Sequence, residues 1–244
     1  MGMNVRWRVP RYPWGVSIPA HHLLDHEGPL LARGELVVGL DEVGRGALAG
    51  PLTVGAVVVS SHAPAPVGLT DSKLLSAARR EQLVVPLRRW ARAWALGSVS
   101  ASEIDAWGLR LALAVAATRA VDALGLRPTF ALVDGSFNIL NAPVPLMSDT
   151  GEPPTLRYAT LAHMTLVKGD QRSATIAAAS VLAKVHRDRE MLAMHEGFEA
   201  YGWSQNKGYG TAGHMEALRR WGPSVHHRRT WRLGTGCRPD IETS

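Results

Sequence analysis

The 244-residue chain has a single cysteine, Cys237, close to its end. That scarcity excludes a disulfide framework and any zinc site built on thiolates. Long apolar runs are missing too. The longest uncharged stretch, Ala47–Thr70, is broken by Gly, Pro, Ser and His, so it falls short of the roughly 20 apolar residues that a membrane span requires. The first residues, MGMNVRWRVPRYPWGV, carry early arginines but no continuous apolar segment, unlike a secretory signal. Aromatic residues make up 6%, and the eight tryptophans are scattered as core or edge packing suggests, not gathered as a base-stacking platform. Hydrophobic residues nevertheless reach 46%, which excludes disorder over most of the chain. A domain of this length buries about 70% of its unfolded surface and needs no covalent staples. The expectation is one soluble, cytoplasmic, monomeric domain with an appendage and no membrane segment.

Charge is uneven. Lys and Arg number 27 against 21 acids, a net +6. From Tyr201 to Ser244 there are seven Lys/Arg against three acids, with three histidines besides. A basic end on a near-neutral body suits an anionic partner such as nucleic acid.

Residues 1–33 read as an irregular extension without periodicity. Leu36–Leu40 and Pro51–Ser60 read as buried strands joined by the glycine-punctuated segment GRGALAG. So short a link makes them antiparallel neighbours. Ser76 opens a helix to about Trp94 that Pro86 should kink or split. A strand follows over Trp94–Val99. Ser102–Asp105 looks like a capping box starting a long alanine-rich helix that stops near Gly125. Thr129–Asp134 is a strand, 135–156 a Pro-rich surface loop and Arg157–Lys168 another strand. Ser173–His195 reads as a helix with the small-residue centre ATIAAASVLA, and Thr211–Trp221 as a shorter helix. The pattern predicts a mixed α/β sheet flanked by helices over 34–200, with a basic helical extension and tail over 201–244.

Acids stand where apolar strands stop: Asp41 and Glu42 after LVVGL, and Asp134 after FALV. A carboxylate there is costly unless solvated, paired or bound to a cation. Adjacent strand residues point to opposite faces, so Asp41 and Glu42 can share one ion only if the strand breaks there, which Gly44 and Gly46 just afterwards permit. Asp188 shares a helix face with Ser180 and Lys184. Each acid alone reads as a turn residue or a salt-bridge partner. Four together point to a hard-cation site for Mg2+ or Mn2+.

In this setting the sequence resembles ribonuclease HII, a type 2 ribonuclease H, from about Leu36 to Trp231. The blocks that carry the resemblance are GLDEVGRGALAGP, LTDSKLLS, LVDG, KGDQRSATIAAASVLAKVHRDR, NKGYGT and HHRRTW. It implies a ribonuclease H-like mixed five-stranded sheet with a helical C-terminal extension. It implies endonucleolytic hydrolysis of the RNA strand of RNA–DNA hybrids, incision 5′ of single ribonucleotides in duplex DNA, and 5′-phosphate and 3′-hydroxyl products. Removal of misincorporated ribonucleotides and RNA primers are the implied cellular roles. Asp41, Glu42, Asp134 and Asp188 are the implied catalytic metal ligands. Gly44, Arg45 and Gly46 would read the ribonucleotide through the backbone, and Tyr209 would pack beside the next deoxyribose. Lys73, Lys184, Lys207 and Arg228 are the candidate phosphate contacts, with Lys168 a lesser one. His226 and His227 are left outside the catalytic set.

Overall fold

The computed structural model describes residues 24–59, 64–144 and 154–234. Cys237, most of the extension 1–33, the middle of the Pro-rich loop and the end of the tail lie outside the described residues. No helix among those described is long and apolar enough to cross a membrane.

The strands expected around GRGALAG are β1 (Val37–Val43) and β2 (Leu52–Val59), antiparallel, with Asp41 opposite Gly55. β3 (Ala93–Val99) pairs antiparallel with β2. On the other side β4 (Phe130–Asp134) runs parallel to β1, and β5 (Ala162–Leu166) parallel to β4. The result is a mixed five-stranded sheet in the order β3-β2-β1-β4-β5. Helices cover both faces, which explains why β1 and β2 read as apolar runs without alternation.

The helices are α1 (Glu27–Ala32), α2 (Ala77–Trp90), α3 (Ala101–Asp122), α4 (Ala174–His195), α5 (Trp203–Asn206) and α6 (Ala212–Trp221). α3 packs on one face against Val38, Leu40, Val54 and Val133. α2 and α4 cover the other, α4 lying over Val37 and Leu132 through Ile176. The small residues of α4 let it approach closely: a Cβ on Gly39 would sit 2.3 Å from the Thr175 carbonyl carbon, and one on Gly55 would sit 2.4 Å from the Ala179 oxygen. A helix seated on two strand glycines is held near contact distance, and this places the next residue, Ser180, beside Asp41.

Several expectations are corrected. The end of the supposedly irregular extension forms α1, whose buried Glu27 anchors α4: one carboxylate oxygen accepts from the Ser173 hydroxyl (2.6 Å), the Thr175 amide (2.9 Å) and the Thr175 hydroxyl (2.8 Å). α2 runs unsplit through Pro86, because the ring faces solvent and the freed carbonyl can be hydrated. The capping box of α3 is Ser100 with Glu103, not Ser102 with Asp105. β5 is shorter than Arg157–Lys168, because turns close at Ala159 and Leu161 before it.

Candidate active site

Side-chain alternation decides which acids meet. Along β1, Val38 and Leu40 face α3 while Val37 and Gly39 face α4, so Asp41 points toward α4 and Glu42 toward the opposite face. Along β4, Ala131 and Val133 face α3, which puts Asp134 on the same side as Asp41. β1 ends at Val43, opposite Thr53, and turns at Gly44–Gly46, but Asp41 and Glu42 both lie within the paired strand and so keep opposite faces. The third acid is Asp170, which no strand-end reading had singled out. It lies on a 3-10 turn (Gly169–Gln171) just beyond β5, so the three carboxylates follow the carboxyl ends of three adjacent parallel strands. Their ligand atoms all lie within 4.8 Å of one another.

The turn is held for this purpose. Lys168 adopts a left-handed conformation (φ 56°) that swings the chain back over the sheet. The Gly169 amide then donates to Asp134 Oδ1 at 2.7 Å. A Cβ on Gly169 would meet that oxygen at 3.2 Å and the Ile176 side chain at 2.7 Å. Left-handed backbone at a residue other than glycine is strain concentrated where geometry matters.

The cluster is short of positive charge. Burial pushes the Asp41 carboxyl well above the usual carboxylate range; a hydrogen bond from Ser180 offsets this in part, and the charges of Asp134, Glu42 and Asp170 add to the rise. Burial, the Asp134 charge and the Asp71 carboxyl push Asp170 up to about 6. Lys73 Nζ, 3.6 Å from Asp170 but largely exposed, is a partial counter-charge. Crowded, desolvated, all-oxygen donors fit a hard divalent cation. Glu42 stands at the margin, its carboxylate 3.4 Å from Arg45, with burial raising its pKa and the Arg45 charge opposing.

Asp188 does not join the cluster, and the reason is axial distance. It shares a helix face with Ser180, as expected, but eight residues along a helix span about 12 Å. Asp188 instead receives Lys184 at 2.6 Å and lies 3.6 Å from Arg80.

Around the acids the structure assembles two loops. Residues 44–51 and 206–209 are joined by the amides of Leu48 (2.8 Å) and Ala49 (3.2 Å), both donating to the Gly208 carbonyl. Arg45 and Gly46 are exposed, and the Tyr209 ring is half-buried against the Arg187 guanidinium, 5.5 Å away. The segment 226–228 completes the layer: Gly50 donates to the His226 carbonyl at 2.9 Å and Arg228 to the Leu48 carbonyl at 2.9 Å. The expectation that Arg228 touches phosphate is corrected. Its side chain is fully buried, and its Nη1 and Nη2 donate to the carbonyls of Arg45 (2.8 Å), Gly44 (2.6 Å) and Gly50 (3.4 Å), while Nε is left buried without a partner among the described residues. Lys207 is half-buried and its ammonium contacts the Ser204 carbonyl, so it too is engaged within the protein.

A mixed sheet with carboxylates gathered at parallel strand ends defines a metal-dependent nuclease of the ribonuclease H class. Comparison supports this: the ribonuclease H2 of Pyrococcus horikoshii superposes with a TM-score of 0.61, at 25% identity over 81% of this chain and 94% of that one. The ribonuclease HII family profile matches residues 38–233. Ribonuclease HII of Streptomyces coelicolor is 41% identical over 87% of this chain and 84% of its own. That of a Synechococcus strain is 45% identical over 80% and 94%. The chain belongs to the ribonuclease HII family. It is a type 2 ribonuclease H, an endoribonuclease of RNA–DNA hybrids that depends on divalent metal.

Proposed function

We propose that the enzyme also cuts duplex DNA 5′ of a single embedded ribonucleotide, leaving 5′-phosphate and 3′-hydroxyl ends. The observation that carries the reading is the placement of the acid cluster beside one connected layer made of the Gly44–Gly46 and Lys207–Tyr209 loops. Asp41, Asp134 and Asp170 would hold the metal, with Glu42 at its edge, and Asp188 is replaced by Asp170 in that role. Two Mg2+ or Mn2+ ions, when bound, supply activation of the attacking water and charge stabilisation of the leaving 3′ oxygen.

The chain's own residues do the rest. Desolvated carboxylates keep the reacting phosphate in a site of low dielectric, where fixed charges act strongly. Exposed Gly46 lets the main chain approach a ribose closely, and a 2′-hydroxyl is what separates RNA from DNA at one position. Tyr209 offers a ring to a sugar that lacks that hydroxyl. Lys73, beside Asp170, and Lys184, beside Asp188, serve as phosphate-steering cations and position the duplex without reading sequence. The acting unit in this reading is a monomer.

The test is a gel assay on a labelled DNA duplex carrying one ribonucleotide, with Mg2+, Mn2+ or EDTA, and an all-DNA control. A metal-dependent cut on the 5′ side of the ribonucleotide is expected. Cleavage of a long hybrid but not of this duplex would refute the junction reading.

A further inference from the structure

Arg187 and Arg228 are among the largest fully buried side chains of the protein, and among the described residues neither forms an ion pair with a carboxylate. A buried charge without a counter-charge is expensive, and both guanidiniums offset it with backbone carbonyls. Arg187 donates to Pro51 (2.8 Å), Ala49 (3.1 Å) and Lys207 (2.9 Å). Arg228 donates to Gly44, Arg45 and Gly50, with Trp231 4.7 Å from its guanidinium carbon. The two residues repel: burial, then the Arg187 charge, lower Arg228 to about 10. Such an arrangement is costly as stability alone. Its effect is to tie residues 44–51 to residues 207–209.

The orientation of the tie is informative. In a trans peptide the carbonyl and the following amide point in opposite directions, and no described bond is cis. Arg228 holds the carbonyls of Gly44 and Arg45 inward, so the next amides, those of Arg45 and Gly46, face away, toward the exposed side of the loop. Two successive outward amides form a concavity suited to an oxygen ligand. Glycine is required at position 44, where φ is 83° and a Cβ would lie 2.2 Å from Arg187 Nε. Arg228 is fixed in turn by Asp105, whose carboxylate accepts from the amides of Arg229 (2.7 Å) and Thr230 (3.1 Å).

We propose that Arg228 and Arg187 are positioning residues for ribonucleotide discrimination, aiming the Arg45 and Gly46 amides at the sugar and locking that loop in register with Tyr209. The inference rests on the reading above, in which this loop meets the ribose.

The test compares the KM for a duplex with one ribonucleotide against the inhibition constant of the same duplex in all-DNA form, using full-length enzyme with Mg2+. Lysine keeps the charge of arginine but not its planar fork. Arg228→Lys should raise KM at least ten-fold relative to the inhibition constant, with kcat changed far less and cooperative melting retained. Arg187→Lys, read the same way, carries the test should Arg228→Lys fail to fold. Gly46→Ala separates the two layers of the argument, because a Cβ there meets nothing within 4 Å and disturbs only what docks outside. If Gly46→Ala loses discrimination while the folded lysine variants keep it, the positioning role is wrong and the loop reading stands. If Gly46→Ala discriminates like wild type, the loop reading fails and the positioning role falls with it.

Discussion

The C-terminal layer that carries Arg228 contains a pair of buried histidines whose tautomers are set by their partners, and this makes its stability sensitive to acid. His227 Nδ1 accepts from the Ser224 amide at 2.9 Å, so its proton is on Nε2, 3.0 Å from His214 Nε2. His214 Nδ1 in turn faces the Tyr209 carbonyl at 3.0 Å and must donate, which leaves its Nε2 to accept from His227 and from the Trp203 indole (3.3 Å). Both rings are neutral in this network. Burial first, then the charges of His214 and His226, lower His227 to about 4. Burial lowers His214 as well. The unfolded chain, with histidine near 6.5, binds the proton that folded His227 refuses, so stability is complete above about pH 6.5 and is lost as pH falls from there toward 4. His227 alone accounts for about 2 kcal/mol lost between pH 7 and pH 5. Urea unfolding of wild type and His227→Gln at pH 7, 6 and 5 measures it. The variant starts less stable, because the hydrogen bond to His214 goes, but its pH dependence should be shallower by roughly that amount. Equal slopes for the two proteins would refute the neutral-pair assignment.

Three further outcomes follow from the geometry. Asp170→Asn and Asp134→Asn should each cut hybrid cleavage by more than about 100-fold (several kcal/mol of lost transition-state stabilisation) with hybrid binding retained, whereas Asp188→Asn should keep most of its activity; equal losses at Asp170 and Asp188 in a cleavage time course would put the metal elsewhere. Tyr209→Ala should lower kcat/KM on a duplex with one ribonucleotide by about ten-fold (roughly 1.4 kcal/mol) with melting little changed; wild-type kinetics would remove the ring from junction reading. Glu27→Ala leaves the buried donors of Ser173 and Thr175 without their acceptor and should destabilise the fold by about 3 kcal/mol, which a thermal melt registers as a drop of several degrees; an unchanged melt would mean that the start of α4 is held by other contacts.

Much of this protein could be read directly from its residues, because the relevant physics is local. The antiparallel link of β1 and β2 followed from the shortness of GRGALAG, and the N-cap of α2 from Ser76; Ser173 and Thr211, read as the first residues of their helices, prove to be the N-caps of α4 and α6. Asp41 and Asp134 stood out because each closes an apolar strand. The resemblance to ribonuclease HII then implied Gly44–Gly46 and Tyr209 as substrate contacts, and the fold joins them in one layer. Misreadings came where one side chain had two local readings. Asp105 fits a capping pattern, yet it holds Arg229 and Thr230, residues that the chain reaches more than a hundred positions later. Arg228, in a basic run, read as a surface cation.

Chain order by itself determined the sheet, its flanking helices and two of the three clustered acids, since strand alternation and helix period are set by neighbours in sequence. Tertiary structure alone decided which further acid joins them. Asp170 and Asp188 both lie near plausible positions, but a turn pinned by the Gly169 amide brings the first onto Asp134, while the rise of α4 carries the second too far along its axis. The same holds for the buried arginines: whether a guanidinium meets phosphate or its own backbone depends on which carbonyls the fold turns inward, and those come from segments far apart in the chain.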